Sequence, residues 1–470
     1  MIYRYFQHTI KKGNIKNRLL LLPLILAVLF LGMRSSVGVS TPNIGFYTFS
    51  QNELNNEIAN NSLFSVLYSL YMMENEKFYN YGNISYKDAI NNVKKMNHIQ
   101  NNSQTLTRYQ HSLFSKQKNI ILVILESFGH ESIGYLGGTP TTPNLDKLIH
   151  NALYFTNLYA VGYRTSWGIS SVVSSLYPIP SCEYIKASKS QNNFYTIAKT
   201  LDKKGYDTTF LYGGDVDFDN MRGFLSNNGF KNVYGEEVFH HTKTKYTWGY
   251  CDEDLYEKAF EIIQSKKNKP YFLTLMTLSS HEPFDYPKNK TPIYPKAPAK
   301  SFANSVKYAD YAIGKFMQKL KKHHMLQNTV VAFVADHCSK VRGKMGVPVD
   351  KYKIAAMIVS DDFKGGKKYD KIASQIDIAP TLLDVAGISA TIPTMGSSVL
   401  QNQRDSALLI AKKKNFAYLK EKKYVIFEPN QNYQTYNYQN QKIAQDKTMI
   451  QEGLSYIYAS HYLYKNRLYH

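Results

Sequence analysis

The chain has 470 residues, with 57 Lys and Arg against 36 Asp and Glu and a net charge of +21. That length suits one large α/β domain with added elements, and the positive excess suits a phosphate-bearing substrate, an anionic lipid surface or a nucleic acid. The basic runs, such as Lys412-Lys413-Lys414, are short and scattered, and the sequence has no arginine-rich arm or nucleic-acid module, which sets DNA and RNA aside. Cys182, Cys251 and Cys338 are its three cysteines, with no C-x-x-C spacing; this excludes a zinc ribbon or a disulfide framework.

Residues 1–18 form a basic flank containing Arg4, Lys11, Lys12, Lys16 and Arg18. The uncharged stretch from Leu19 to Met33 is about 22 Å long as a helix at ~1.5 Å per residue, short of a hydrocarbon core of about 30 Å. Arg18 and Arg34 can snorkel, and Ser35 to Val39 can lengthen the helix, so residues 19–39 are expected to be a single transmembrane anchor. Pro23 is compatible with a span. A cleavable signal peptide is the alternative, since Gly38-Val39-Ser40 is small-x-small. A buried core helix fits the basic flank poorly. On either of the first two readings the flank is cytoplasmic and the rest lies on the extracytoplasmic side. Residues 40–115 are polar and rich in Asn, with an amphipathic piece from Gln51 to Met73, and read as a helical connecting arm.

From 116 to 395 the pattern alternates. Strands are expected at 119–125, 208–212, 271–276, 329–335 and 354–359. Helices are expected at 142–152, 166–176, 190–204, 216–228, 252–266, 301–322 and 375–386, the last closed by Gly387 as a C-cap. This implies an α/β fold with a mostly parallel sheet sandwiched by helices. Residues 396–470 carry short aromatic runs between Asn415 and Tyr438 and a helical pattern from Met449 to Tyr469. They read as a small C-terminal antiparallel sheet and a helix packed on the larger domain.

Two of the buried-strand patterns end in ligating residues. Asn119-Ile-Ile-Leu-Val-Ile-Leu125 runs into Glu126, and Thr329-Val-Val-Ala-Phe-Val-Ala335 runs into Asp336-His337. Ligands of open α/β sheets collect at the carboxyl ends of the strands. A lone acid there is more often a cap, whereas three donors at one edge point to a metal site. Between them, the Gly162-Tyr-Arg-Thr165 loop puts a hydroxyl at a helix start. Thr165, or Ser166, could simply cap that helix. A helix N-terminus is also an anion site, and a hydroxyl held on a divalent cation is a competent nucleophile.

These segments resemble the alkaline-phosphatase/sulfatase superfamily, and within it the lipoteichoic acid synthase and phosphoglycerol transferase branch, over roughly residues 115–395. The carriers are Ile-Leu-Glu126-Ser-Phe, the Gly-Tyr-Arg-Thr165 loop, Thr247-Trp248-Gly249 with Asp252, Leu278-Ser-Ser-His281-Glu-Pro-Phe, Tyr308-Ala-Asp310, Ala335-Asp336-His337 and Asp377-Ile-Ala-Pro380.

The resemblance implies one divalent cation, usually Mn2+, held by Glu126, Thr165, Asp336 and His337; an oxygen-rich set with one imidazole also admits Mg2+ or Zn2+. It implies a membrane-anchored phosphoglycerol transferase. Thr165 would take glycerol phosphate from an anionic phospholipid donor of the phosphatidylglycerol type and pass it to a glycan or glycerol phosphate polymer acceptor of the envelope. His281, Trp248 and His241 match positions that grip the glycerol phosphate, although His281 could cap a turn, Trp248 could be core and His241 could be solvated. The branch places an arginine two residues after the tryptophan, where this chain has Tyr250; Arg164 or Arg222 would have to replace its charge. Members commonly carry several membrane helices before the exported domain, and this chain shows one apolar stretch.

Among the rivals, a sulfatase proper needs Cys or Ser in a C/S-x-P-x-R context, which Thr165-Ser-Trp-Gly-Ile169 lacks. A phosphoethanolamine transferase shares the threonine logic but usually carries several disulfides. A phosphodiesterase would differ only in its acceptor. A membrane-anchored binding protein on an inactive fold would have lost a ligand, and all four are present.

Overall fold

The segments of highest β-branched content form the centre of an eight-stranded sheet. Its strands are β1 (Asn119–Leu125), β2 (Ala152–Phe155), β3 (Asp207–Tyr212), β4 (Asn232–Tyr234), β5 (Tyr271–Met276), β6 (Thr329–Ala335), β7 (Ala356–Val359) and β8 (Lys367–Tyr369), in the spatial order 8-2-7-6-1-5-3-4. Only β7 runs against the others. Successive side chains of a strand point to opposite faces. Every residue from Ile120 to Leu125 is 0% exposed, so both faces of the sheet are covered. Asp252–Ser265 packs on β3 and β5, and Ile378–Val385 on β6. This computed structural model describes residues 15–34, isolated positions between 43 and 72, and 76–469 apart from 241–242, 268, 342–346 and 403.

Register decides the site. β1 and β6 pair in parallel from Asn119↔Thr329 to Leu125↔Ala335, so Glu126 and Asp336 leave the sheet side by side. Neighbouring strands are about 4.8 Å apart.

The expected strand 354–359 is two strands. Lys353–Ile354 pairs with Leu158–Tyr159 in a separate three-stranded sheet, and only Ala356–Val359 joins the main one. Ala355 turns the chain between them, its N–H donating to Phe128 O and its carbonyl accepting from Ala335 N. Short strands β2, β4 and β8 lie outside the sequence expectation, since three or four residues are too few to show a period. The expected helix 216–228 shortens to Met221–Asn227 because Asp219 and Asn220 are both left-handed, at φ 54° and 63°. The expected helix 190–204 begins only at Ile197, where Thr196 caps it by accepting from Lys199 N.

The C-terminal sheet is antiparallel, running in chain order through Ser406–Ile410, Phe416–Lys420, Lys423–Glu428, Asn432–Asn437 and Lys442–Ile443. The closing helix, Lys447–Asn466, packs on that sheet and on the helix Tyr86–Met96. Thr107–Gln110 pairs with Ala390–Pro393. Arg404 Nη2 reaches both Asp377 carboxylate oxygens at 2.9 Å, tying the start of the C-terminal region to the domain. Residues 15–34 form a helix containing Pro23. Among the described residues no helix is long and apolar enough to cross a membrane, so the expected transmembrane anchor is not seen as a span. Its uncharged stretch falls short of the hydrocarbon thickness, as the rise per residue requires.

Candidate metal centre and nucleophile

Glu126, Asp336 and His337 each present a ligating atom, and these atoms all lie within 4.8 Å of one another. Each is fixed from behind. Glu126 N donates to Thr277 Oγ1 at 2.9 Å, and Ser127 Oγ donates to Glu126 Oε1 at 2.7 Å. Asp336 Oδ1 accepts from the N–H groups of Ser127 and His337 at 2.8 and 2.7 Å. Gln375 Nε2 donates to the carbonyls of Ala335 and Asp336, while its Oε1 accepts from Val161 N. His337 Nδ1 lies 2.9 Å from the Cys338 carbonyl. Donation there leaves the Nε2 lone pair facing Asp336 Oδ2 at 3.3 Å and Glu126 Oε1 at 4.0 Å.

Thr165 is the first residue of the helix Thr165–Ser174. Its Oγ1 stands 3.5 Å from Glu126 Oε2 and 3.4 Å from His337 Nε2. The helix comes this close because Gly168 has no side chain: a Cβ there would lie 2.5 Å from Asp336 O and 2.7 Å from Asp336 Cα. First-turn N–H groups lack intrahelical partners, so this end of the helix also presents donors and a positive dipole to an anion.

The donor set fits a divalent cation. Asp336 Oδ2 is fully buried and has no hydrogen-bond partner among the described residues. Burial first, and Glu126 next, push the Asp336 carboxyl up to about 7. Burial pulls the His337 imidazole down, but Asp336 and Glu126 outweigh it and the net value is raised. Two carboxylates packed this closely repel each other, and a bound cation removes that repulsion.

A cleft opens over this cluster, lined by Glu126, Thr165, Tyr212, Asp219, Trp248 and His281 among others. Trp248 and His281 meet at 4.1 Å between ring centroids, and the Trp248 indole N–H donates to Glu282 O at 2.7 Å. Neither is core: both face the cleft. Tyr250 is buried and stacks on Phe239 at 4.8 Å, so it does not reach into the cleft where the branch has its arginine. Arg222 is bound to Asp217 at 2.8 Å and to Glu237 at 3.4 Å. Arg164 remains exposed at the helix start, 4.0 Å from Glu183, and its charge is felt at His337. His241 lies outside the described residues. The cysteines are free and buried.

Sequence reasoning missed Thr277, Ser127, Gln375 and Asp219. Thr277 directly follows β5 just as Glu126 follows β1, so the same strand-end logic reaches it. Ser127 carries φ 63°, and Gln375 acts across a register that no local pattern reveals.

The family model described as Sulfatase matches residues 118–388, more than half of the chain. The chain belongs to the sulfatase family. A solved structure of an alkaline phosphatase superfamily protein from Vibrio parahaemolyticus is 33% identical. It superposes with a TM-score of 0.78, covering 83% of this chain and 98% of that one. Lipoteichoic acid synthase LtaP from Listeria monocytogenes, 22% identical with a TM-score of 0.68 over 81% of this chain and 98% of its own, shares the fold. Lipoteichoic acid synthase 2 of Bacillus subtilis (strain 168) is 26% identical over 61% of this chain and 48% of its own length. The chain thus spans about half the length of the curated relatives it matches.

Proposed function

We propose that this sulfatase-family chain is a metal-dependent phosphoglycerol transferase, moving glycerol phosphate from a phosphatidylglycerol-type lipid to an envelope polymer or glycan through a covalent intermediate on Thr165. The observation that carries this reading is Thr165 Oγ1 held 3.4–3.5 Å from both Glu126 and His337 at a helix N-terminus. The curated relatives named lipoteichoic acid synthases support the substrate class.

Glu126, Asp336 and His337, with Thr165, would hold the cation, Mn2+ by family resemblance. When bound, it lowers the pKa of a coordinated hydroxyl and neutralises phosphate charge. The chain's own residues do the rest. Thr165 Oγ forms the new P–O bond as the diacylglycerol oxygen leaves, and His281, at the cleft, is the candidate to protonate that oxygen. The acceptor hydroxyl then displaces Thr165. Helix N–H groups and Arg164 face the equatorial oxygens. Trp248 and His281 form one wall against which the glycerol rests.

Membrane attachment is part of the proposal. The large apolar side chains from Leu19 to Leu29 are between 47% and 78% exposed; burying them in lipid with the basic flank on the cytoplasmic side would place the catalytic domain on the extracytoplasmic side. Free, buried cysteines fit this reading better than a disulfide-rich phosphoethanolamine transferase.

The test is incubation with phosphatidylglycerol, followed by lipid analysis and peptide mass spectrometry. Diacylglycerol should be released, and the peptide holding Thr165 should gain the mass of glycerol phosphate. Turnover of another head group alone would move the substrate assignment.

A further inference from the structure

A second cavity lies on the other side of the sheet's length. A groove of about 710 Å³ opens against the helix Ile197–Lys203 and the ribbon pairing Thr107–Gln110 with Ala390–Pro393. Lys199, Lys203, Lys204 and Arg467 line it, with Asn193 and Tyr109 among their neighbours, and no Asp or Glu does. It shares no lining residue with the cleft over Thr165. Lys204 precedes β3, whose far end, Tyr212, lines that cleft. At ~3.3 Å per residue the strand separates the two by roughly 20 Å.

Among the described residues these charges have no counter-ion. Asp202, the acid adjacent in sequence, is taken by Lys231. Among the described residues no carboxylate stands within ion-pair distance of the four cations, although acids pair with lysines over much of the remaining surface. Burial, and then Lys203, hold the Lys199 ammonium below its ordinary value. An anion in the groove would relieve the repulsion between Lys199 and Lys203. The groove is recessed, and its size falls within the range of ligand sites. Its strongly exposed large ring is Tyr109, at 66%, an amphipathic face suited to a polyol or sugar. No exposed large aliphatic side chain is among its described lining residues, as insertion into a bilayer would require.

We propose that this groove is a second binding site for a chain of phosphodiesters, and that it holds the acceptor or product polymer away from the reacting phosphate. Lysines bind phosphate as point charges, and several cations along one groove match a ligand whose charge repeats. Contacts to several phosphates release counter-ions, which makes such binding steep in salt. That the polymer is the acceptor rests on the transferase reading; that phosphodiester chains bind here does not.

The test uses the purified full chain and a fluorescent, soluble glycerol phosphate oligomer, with anisotropy read at low and high salt. The combined variant Lys199→Gln, Lys203→Gln, Lys204→Gln, Arg467→Gln should bind the oligomer roughly tenfold or more weakly, with a shallower salt dependence. It should still release diacylglycerol from phosphatidylglycerol at the normal rate. Lys203→Glu, a single change at an exposed side chain, should weaken binding in the same direction should the combined variant fold poorly. Thr165→Ala should keep full oligomer affinity. Unchanged affinity in both groove variants overturns the proposal. So does displacement by inorganic phosphate at matched phosphate concentration, which marks a general anion patch. Loss of binding to phosphatidylglycerol vesicles with oligomer affinity intact assigns the surface to lipid and overturns it too. A wild type that binds oligomer but releases no diacylglycerol refutes the transferase reading alone.

Discussion

Gly168→Ala probes the placement of the nucleophile without replacing a ligand. The added Cβ would lie 2.5 Å from Asp336 O, where ordinary contact begins at 3.4 Å. Backbone lies on both sides of that contact, so helix and strand end must separate by about 0.9 Å, as those two distances require. Overpacking of this kind costs about 1–3 kcal/mol, of which up to about 1 kcal/mol returns because Ala favours a helix interior over Gly. The effect on chemistry is larger. A misplacement near 1 Å costs about 100-fold in rate, here by moving Thr165 relative to Glu126 and His337. Gly365→Ala is the control. Its φ is +88° with nothing within 4 Å, so it loses about 1–2 kcal/mol of stability through backbone strain and leaves the site alone. The assay is diacylglycerol release beside a thermal melt for both variants. Wild-type turnover by Gly168→Ala, or an equal loss in Gly365→Ala, would refute the claim that this close approach positions Thr165.

Thr165→Ala should abolish transfer while the melting temperature stays near wild type; retained turnover removes the covalent route. Asp336→Asn and Glu126→Gln should lower bound metal on elemental analysis, and unchanged content would show the ligands are misassigned. The pH response has a definite sign. The Asp336 carboxyl titrates near 3.8 when unfolded and at about 7 in the metal-free fold. Between those values the native state holds a proton that the unfolded chain has released, so stability falls as pH rises from about 4 to about 7. His337, also raised, contributes stability that is lost in the same direction. Melts of chelator-treated protein should therefore show a slope that Asp336→Asn flattens, and added Mn2+ should protect more at pH 7.5 than at pH 5. Arg404 and Asp377 are 8% and 4% exposed. Arg404→Met strands a buried carboxylate and should cost about 3–5 kcal/mol in urea unfolding, whereas a loss no larger than that of a surface ion pair would refute the tie.

Several features were legible in the sequence because they are local. The runs 119–125, 271–276 and 329–335 are buried strands at those bounds, since a short, mostly apolar run without alternation suits a strand covered on both faces. Glu126 and Asp336-His337 stand out because a ligating residue directly after such a run lies at a sheet edge. Thr165 opens its helix as its loop-then-helix pattern requires.

Tertiary structure alone decided the rest. The pairing of Leu125 with Ala335, more than two hundred residues apart in sequence, brings the two carboxylates together, and no local pattern encodes a register between distant strands. Tyr250 stands where the branch has an arginine, but its burial against Phe239 could be known only from packing. The unpaired cations of the groove come from two distant segments, and whether an acid lies near them is a question of space. Side-chain chemistry is written residue by residue; which residues meet is settled by the hydrophobic burial that closes the sheet.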